Sequence, residues 1–346
     1  MVKKSKTQKM KEKRLAKYPF NLLKSLIPAK ITRDHIYIII VVLVIVAFAT
    51  VPFFINVDTS YFGYFLFLCF LYIVIAQGWN VVAGYAGQIS LCQNTFFGLG
   101  AYTTGLIWLL DVTKTGYYFD PVLMVLSGLV PAVLAIIIGI PLLSRLRGDY
   151  FAIGTLGVQF TVTVLFLKGG ALTKGADGLH LPSTVFTSMT PYYWTGFLLA
   201  LFAIAVVFFI NRSRIGLALK AIREDETAAA SRGVHVLKYK VFAFAVGAFL
   251  AGIAGSLFAY YLFHINPDSV MHMNWLFFPI LMCVLGGNGT IIGPIIGAFF
   301  LAALSSFGDV YFAQMHPIFS GLLIILVMKF MPTGIIGLKD RIFSRR

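Results

Sequence analysis

The chain has 346 residues, of which 59% are hydrophobic and only 12% are charged. Soluble domains carry about 25% charged residues, so this composition excludes an ordinary soluble protein and indicates an integral membrane protein. The net charge of +15 is concentrated at the N-terminus, because residues 1–35 hold eleven Lys and Arg against Glu12 and Asp34.

The basic segment 1–35 allows two interpretations. One is a nucleic-acid-binding arm, but the segment does not interleave aromatic residues with its charges and has no recognisable binding fold. A basic segment just before a first membrane span more often keeps the N-terminus in the cytoplasm and attracts anionic lipid. We therefore predict a cytoplasmic tail that contacts membrane lipid, and no nucleic-acid partner. The apolar run that follows is too long for a signal peptide.

The first predicted membrane span is the uncharged run 36–55, which is long enough to cross a bilayer once. Residues 59–110 then form 52 consecutive uncharged positions, which are too many for one helix and suit two crossings. Glycines and prolines interrupt the apolar region 275–306, which predicts two short or broken segments. The remaining spans are predicted at about 121–143, 150–167, 192–210, 241–263 and 317–333.

Amide side chains and glycines join the two crossings within 59–110. The stretch from Gln77 to Asn94 places Gln88, Ser90 and Gln93 between apolar halves. Irregular backbone at membrane depth survives only where it is buried in protein or lines a cavity. We therefore predict a broken helix that lines a pathway, with close helix packing through small residues as the alternative.

The distribution of charge sets the orientation. With the N-terminus inside, Lys114, Lys168 and Lys174 are the basic residues of the outer loops, and the other 25 Lys and Arg lie inside. The positive-inside rule predicts such a bias. The predicted fold is all-α, a polytopic helix bundle of about ten membrane segments, or about eight if some are re-entrant. The membrane domain covers 36–333, and a basic cytoplasmic tail covers 334–346.

The polar segment 211–240 lies between two apolar regions and shows helical periodicity. Ile215, Leu219 and Ile222 fall on one stripe of a helix. Asp225 can cap a second short helix, and Gly233 suits its C-terminal end. We predict that the apolar stripe enters the groove of a partner protein and that nearby charges hold the register. The alternative is a loop whose basic residues only fix orientation.

The sequence contains no recognisable catalytic motif. It lacks HExxH, GxSxG and the phosphate-binding loop GxxxxGK[ST]. Apart from Lys329 near the end of the last span, the predicted spans hold no buried charge of the kind that proton-coupled carriers need. These absences favour a permease that is driven by a separate subunit over an enzyme.

The cysteines and histidines do not form a ligand pattern. Cys69, Cys92 and Cys283 lie in apolar context without paired spacing, so we expect small core residues. His264 and His272 share one loop and are expected to be solvated. We therefore predict no metal site and no cofactor bound by this chain.

Six motifs occur in the order seen in one transporter family. They are GQISLCQNTFFGLGAY (87–102), RGDYFAIGTLG (147–157), KGADGL (174–179), IGLALKAIREDETAAASRGV (215–234), AGIAGSLFAYY (251–261) and VLGGNGTIIGPIIGA (284–298). The set resembles the branched-chain amino-acid ABC permeases, and among them the LivM-type member of the LivH/LivM pair. The resemblance covers about residues 70–300, and the chain departs from the usual pattern at Cys92, Lys174 and Ser231–Arg232.

The resemblance implies a subunit of an ATP-driven importer in the cytoplasmic (inner) membrane of a prokaryote. Its implied partners are a second, LivH-type permease, ABC ATPase subunits that use ATP and Mg, and an extracytoplasmic solute-binding protein that delivers leucine, isoleucine or valine. The resemblance also implies that the loop 211–240 couples to an ATPase, through Ile215, Gly216, Ile222, Arg223, Glu224, Asp225, Ala228 and Gly233.

Seven polar residues are candidates to line the substrate pathway: Gln88, Ser90, Gln93, Asn94, Thr155, Gln159 and Asn288. Side-chain amides and helix ends can satisfy the carboxylate and ammonium of a zwitterion without a fixed charge in the membrane. Interhelical hydrogen bonding is the alternative role for each of them.

Three other functions stay open at the level of sequence. A same-family importer for urea, short amides or another small polar solute would differ chiefly in its binding protein. An ion-coupled secondary carrier could use carbonyls and amides in place of charged residues. A membrane-embedded enzyme would need a catalytic set that the recognisable motifs do not provide.

Overall fold

The computed structural model describes residues 33–110, 120–181, 188–311, 321 and 334–336. Helix α1, Arg33–Phe54, belongs to a unit of its own, Met1–Ile55, and residues Asn56–Arg346 form a second unit. Helix α1 coincides with the first predicted span, and Pro52 lies near its C-terminal end.

The second unit is built from helices. In chain order they are α2 (Tyr61–Trp79), α3 (Gln93–Leu109), α4 (Pro121–Arg145), α5 (Asp149–Leu167), α6 (Gly170–Thr173), α7 (Thr190–Arg212), α8 (Arg214–Glu224), α9 (Glu226–Ser231), α10 (Val236–Leu262), α11 (Pro267–Val270), α12 (Asn274–Gly286) and α13 (Ile292–Tyr311). Two short strands, β1 (Leu179–His180) and β2 (His264–Ile265), pair antiparallel.

Six helical segments in the described part of the chain are long and apolar enough to cross a membrane. They are Tyr61–Tyr85, Pro121–Arg145, Asp149–Leu167, Thr190–Arg212, Val236–Leu262 and Pro267–Gly286. The shorter apolar helices Val42–Phe54 and Ile292–Ser306 accompany them. The predicted all-α polytopic bundle is therefore confirmed. The predicted span 317–333 lies outside the described residues except for residue 321, so the count of ten crossings stays a prediction.

Helix α10 lies at the centre of the second unit, and nearly all of its residues over 247–260 are buried. Small residues allow neighbouring backbones to approach it closely. A methyl group at Gly252 would overlap the Ser127 carbonyl of α4, and one at Gly255 would overlap the Phe97 carbonyl of α3. The glycines of α10 thus fix the distances at which α3 and α4 pack against it.

Three buried hydroxyl groups join the same helices. Thr104 Oγ1 of α3 lies 2.8 Å from Ser127 Oγ of α4 and 2.7 Å from Ser256 Oγ of α10. Ser127 in turn donates to the Leu123 carbonyl of its own helix. Hydrogen bonds between helices help to specify packing where lipid is as apolar as the helix surface.

The join within 59–110 is irregular, as predicted. Helix α2 runs into a π-helical turn, Asn80–Tyr85, and residues 86–92 are non-helical before α3 begins. We call residues 84–92 the first glycine loop. The polar side chains around it are buried, namely those of Gln77, Asn80, Gln88, Ser90, Gln93 and Asn94.

The region 275–306 is also divided, as predicted. Helix α12 ends at Gly286, and α13 begins at Ile292. Between them Gly287 and Gly289 have φ of 128° and 77°, conformations that glycine adopts at least cost. We call residues 286–291 the second glycine loop.

Asp58, in the loop before α2, caps the N-terminus of α7. Its Oδ1 accepts hydrogen bonds from the backbone N–H groups of Met189 (2.6 Å) and Thr190 (3.1 Å) and from the hydroxyl of Ser188 (2.9 Å). The hydrogen bond from Ser188, helped by those backbone groups, lowers the pKa of the Asp58 carboxyl. The cap therefore fixes the start of α7 to the loop that precedes α2.

The histidines differ in part from their prediction. His264 Nδ1 lies 3.2 Å from His180 Nδ1 across the β1–β2 pair, and its Nε2 lies 3.2 Å from Asn266 Nδ2. His264 is half-buried rather than solvated, whereas His272 is exposed, as expected. All three cysteines are buried, which confirms their assignment to the core.

Candidate functional site

The polar segment 211–240 contains the two helices predicted for it, α8 and α9, which we call the α8–α9 segment. Asp225 caps α9, because its Oδ1 accepts from the N–H groups of Thr227 (2.8 Å) and Ala228 (3.0 Å). The hydroxyl of Thr227 donates to the same carboxylate, and these hydrogen bonds lower the pKa of Asp225. Gly233 follows α9 with φ of 84°, the conformation expected for a C-terminal glycine.

The apolar stripe of α8 packs into the bundle of this chain. Leu219 and Ile222 are 0% and 1% exposed. Leu219 packs with Tyr85 at the end of the π-helical turn and with Ala243 of α10, and Ile215 lies against the same cluster. The prediction that this stripe enters a partner's groove is therefore wrong. The apolar ends of the membrane helices lie beside the stripe and remove it from water within the chain itself.

The opposite face of α8 is exposed. Leu217 exposes 71% of its surface, and Ala221 and Glu224 follow at helical spacing and are also exposed. Among the residues predicted to meet an ATPase, Gly216 and Ile222 are buried and Ile215 is half-buried. The exposed ones are Arg223, Glu224, Asp225, Ala228 and Gly233.

Arg223 connects the α8–α9 segment to both glycine loops. Its Nη1 donates to the carbonyl oxygen of Gly84 at 2.5 Å. A methyl group at Gly87 would lie 3.1 Å from Arg223 Cγ, and one at Gly289 would overlap the guanidinium. Both glycines have positive φ, 69° and 77°, and the backbone of each loop closely approaches the arginine, so a larger residue is disfavoured at either position.

Two buried amides, one in α2 and one in the π-helical turn, hold the second glycine loop. Asn80 Nδ2 donates to the Thr290 carbonyl (2.8 Å), while its Oδ1 accepts from the Gly289 N–H (2.9 Å). Gln77 Nε2 donates to the Ile291 carbonyl at 2.7 Å. The second glycine loop is therefore held to the end of α2 through its backbone. Asn288, predicted to line the pathway, is exposed.

Glu226 makes a second connection from the α8–α9 segment. Its Oε1 accepts from Lys240 Nζ of α10 and from Gln88 Nε2 of the first glycine loop, the latter at 3.1 Å. Arg147, after α4, lies 3.9 Å from the other carboxylate oxygen. The carboxylate thus links α9, α10 and the first glycine loop.

Lys240 corrects one expectation from the sequence. The sequence predicts a span that starts at 241 and no buried charge in the spans, which leaves Lys240 in the loop before the span. The helix begins five residues earlier, at Val236, and the Lys240 side chain is 1% exposed. A buried ammonium is tolerated only with a partner, and Glu226 provides it.

Several predicted pathway residues serve as hydrogen-bond partners near the first glycine loop. Thr155 Oγ1 accepts from the Leu91 N–H (2.9 Å) and donates to the Ala152 carbonyl (2.8 Å). Gln93 Nε2 donates to the Gly247 carbonyl of α10 at 3.2 Å. The Ser90 carbonyl accepts from Trp79 Nε1 at 2.9 Å. The bond from Gln93 matches the alternative role of interhelical bonding, Thr155 bonds to the first glycine loop and to its own helix, and the bond at Ser90 is made by its backbone. The pathway role of these side chains stays a prediction.

Asn94 and Gln159 are both connected to Met271, Asn94 directly and Gln159 through Thr163. Asn94 Nδ2 donates to the Met271 carbonyl at 2.7 Å. Gln159 Nε2 donates to Thr163 Oγ1 at 3.4 Å, and Thr163 Oγ1 lies 3.8 Å from Met271 Sδ. Sequence reasoning missed Met271 and Thr163, because Met271 lies 177 residues from Asn94 and no motif connects them.

The comparisons with known proteins identify the family. The profile of the family described as "Branched-chain amino acid transport system / permease component" matches residues 61–328. The chain is 30% identical to the high-affinity branched-chain amino acid transport system permease protein LivM of Salmonella typhimurium, over 77% of this chain and 68% of that protein. No solved structure matches the chain.

Two further relatives belong to other permease types. The permease LivH of the Escherichia coli high-affinity branched-chain amino acid transport system is 28% identical, over 77% of this chain and 91% of that protein. The autoinducer 2 import system permease protein LsrC of Yersinia pestis is 27% identical, over 64% of this chain and 58% of that protein. Since the family profile covers well over half of the sequence, this chain belongs to the branched-chain amino acid transport system permease family.

Proposed function

We propose that the chain is the membrane-spanning permease subunit of an ATP-driven importer, and that ATPase movement enters it through the α8–α9 segment. The observation that carries the proposal is the double connection of this segment. Arg223 bonds to Gly84, and Glu226 bonds to Gln88, so both contacts end on the first glycine loop. Displacement of the segment would therefore move that loop directly.

The exposed face of the segment is the surface that we assign to the ATPase. It contains Leu217, Ala221 and Glu224 on α8 and Ala228 on α9. The phosphate-binding loop is absent from the sequence, so ATP and Mg would be used by the partner subunit. Because Leu219 and Ile222 stay buried in the bundle, the segment would move as a rigid body.

The remaining parts of the complex follow from the family. We propose a second, LivH-type permease, two ATPase subunits, and an extracytoplasmic solute-binding protein that delivers the solute. The chain would lie in the inner membrane with both termini cytoplasmic, the orientation that places 25 of its 28 Lys and Arg inside. Purification from native membranes, followed by identification of bound subunits, tests this composition.

The proposed solutes are leucine, isoleucine and valine, since LivM and LivH relatives are named for branched-chain amino acid transport. The second candidate is another small polar solute, such as urea or a short amide. The relative LsrC, named for autoinducer 2 import, supports a broader range within the family. A competition assay distinguishes the two solute classes. It measures how uptake of radiolabelled leucine responds to unlabelled isoleucine, valine, urea and acetamide.

Uptake by the complete complex in proteoliposomes tests the mechanism. We expect radiolabelled leucine to accumulate only with ATP in the lumen, with the ATPase subunits present, and with the solute-binding protein outside. A matched preparation without the ATPase should show no uptake. Uptake driven by an ion gradient alone would instead assign the chain to the secondary carriers.

A further inference from the structure

The seam between α3 and α5 holds a group of polar side chains beside Met271. Asn94, Gly98 and Tyr102 are four residues apart on α3 and so share one face. Asn94 bonds to the Met271 carbonyl, and a methyl group at Gly98 would overlap the Met271 side chain. The ring of Tyr102 packs edge-on against Phe166 of α5 at 4.7 Å. This face of α3 is therefore turned towards α5 and the start of the loop after α11.

Three oxygens in the seam have no hydrogen-bond partner among the described residues. They are Asn94 Oδ1, Gln159 Oε1 and the Tyr102 hydroxyl. Their side chains are buried, with 0%, 2% and 1% exposure respectively. Buried polar atoms in folded proteins almost always have a partner, and an unpaired one costs free energy. Gln77 and Gln88 beside the glycine loops also hold an unpaired oxygen, but Asn94 and Gln159 lie on two facing helices and are both connected to Met271, Asn94 directly and Gln159 through Thr163.

The hydrogen-bonding chemistry of these three oxygens determines which kind of ligand group can pair with them. Amide oxygens are acceptors only, and a tyrosine hydroxyl can accept as well as donate. A ligand that pairs with these oxygens therefore presents O–H, N–H or ammonium donors. Asp268, on α11 three residues before Met271, is exposed and adds a negative charge that disfavours an anion here.

We propose that Asn94, Gln159 and Tyr102 form a transient site for the ammonium group of the solute as it crosses the bundle, an inference that rests on the proposed function. Neutral amide dipoles suit this task, because they attract an ammonium without holding it as an ionised carboxylate would. A transport site must bind strongly enough to admit the solute and weakly enough to release it. The solute class is accordingly a primary amine, such as an amino acid.

Substitutions of Gln159 and Tyr102 in the complete reconstituted complex test the site. Gln159→Leu removes the acceptor and disturbs only a 3.4 Å hydrogen bond to Thr163. We expect initial uptake of radiolabelled L-leucine to fall about 10- to 100-fold, as for loss of a hydrogen bond to a charged group. ATP hydrolysis stimulated by the loaded binding protein should stay within about threefold of wild type, because α8 and α9 are distant in the chain and unaltered.

A second variant keeps the proposal testable if the first fails to assemble. Tyr102→Phe retains the ring against Phe166 and removes only the hydroxyl, so uptake should fall about 3- to 10-fold with hydrolysis retained. Thr161→Val is the matched control, since Thr161 is exposed on α5 and its hydroxyl bonds to the Gly157 carbonyl of its own helix. Its uptake should equal that of wild type.

The possible outcomes distinguish a failure of the proposed ammonium site from a failure of the proposed function. A fall in uptake with hydrolysis retained supports the ammonium site, because a purely structural defect would lower both. Uptake at wild-type rates in both variants, or an equal fall of uptake and hydrolysis in both, overturns it. If the wild-type complex shows no ATP-driven uptake, the proposed function fails, and the site fails with it.

Discussion

Two buried asparagines in this bundle use their hydrogen bonds differently. Beside the glycine loops, Asn80 pairs both amide atoms, one with the Thr290 carbonyl and one with the Gly289 N–H. In the α3–α5 seam, Asn94 pairs its Nδ2 and leaves its Oδ1 without a partner among the described residues. A saturated amide fixes structure, whereas a half-saturated one retains capacity for a ligand.

The difference assigns separate tasks to the glycine loops and to the α3–α5 seam. Arg223 and Glu226 connect the α8–α9 segment to Gly84 and Gln88 of the first glycine loop, so movement of that segment reaches this loop through hydrogen bonds. The seam has no such direct bond to the segment in the described residues and is reached through α3 and α5. Force transmission and solute contact are thus separable, and mutations should affect them separately.

The largest effect is expected when the Glu226 carboxylate is removed. Glu226→Ala leaves the Lys240 ammonium buried without its partner and releases Gln88. Breaking a buried ion pair in this way costs about 3–5 kcal/mol, so we expect a lower melting temperature and uptake reduced about 100-fold or more. Thermal unfolding in detergent and uptake in proteoliposomes measure the two effects.

Two further variants serve as controls for the Glu226→Ala result. Lys238→Ala, which alters an exposed lysine two residues before the buried one, should change neither quantity. Combining Glu226→Ala with Lys240→Met removes the buried charge, so thermal stability should recover while uptake stays low because the bond to Gln88 is missing. Normal stability and uptake in Glu226→Ala would show that the ion pair has no role in either.

Charge reversal at the end of α8 should separate hydrolysis from uptake. Arg223→Glu together with Glu224→Arg removes the bond to the Gly84 carbonyl and inverts the exposed charge pattern while preserving net charge. We expect normal membrane insertion and continued ATP hydrolysis, with uptake reduced about tenfold, the equivalent of one charged hydrogen bond. The ratio of leucine imported to ATP hydrolysed measures coupling. A normal ratio would remove the α8–α9 segment from the coupling role.

The contrast between Asn80 and Asn94 predicts a difference in stability. Asn80→Ala loses two hydrogen bonds and leaves two half-buried backbone groups, the Gly289 N–H and the Thr290 carbonyl, unpaired, which costs about 2 kcal/mol or more. Asn94→Ala loses one bond and leaves one backbone group, the buried Met271 carbonyl, unpaired, so its cost should be about half as large, about 1 kcal/mol. Thermal unfolding of the two variants, measured under the same conditions, compares their losses of stability. Equal destabilisation would show that the two amides do not differ in the way described above.

Local patterns in the sequence were sufficient to predict most of the long helices, although α10 begins five residues before its predicted start. Uncharged length predicted the spans, glycines and amides predicted both breaks, and Asp225 and Gly233 predicted the limits of α9. Each of these features depends on residues close together in the chain. The same periodicity identified the buried face of α8, but it could not show that α10 and the π-helical turn cover that face.

Contacts between distant residues were not predictable in this way. Lys240 meets Glu226 across 14 residues, His264 meets His180 across 84, and Asn94 meets Met271 across 177. No periodicity relates such positions, because they are brought together by the packing of whole helices. The unpaired oxygens of the seam could not be predicted either, since the sequence does not show whether a given amide oxygen has a hydrogen-bond partner in the folded protein.

The smallest effect is expected at Asp58, which is fully paired like Asn80 but lies in an exposed loop. Its pKa is lowered in the folded protein, chiefly by the Ser188 hydroxyl. Its contribution to stability is therefore complete above the ordinary carboxyl pKa of about 3.9 and is lost as pH falls through the lower folded value. Asp58→Asn should lower the melting temperature by no more than about 3 °C at neutral pH, since exposed charges contribute little. The difference in melting temperature between wild type and variant should shrink as the pH falls below about 4. A difference that stays constant well below that pH would show that the cap does not depend on the charge of Asp58.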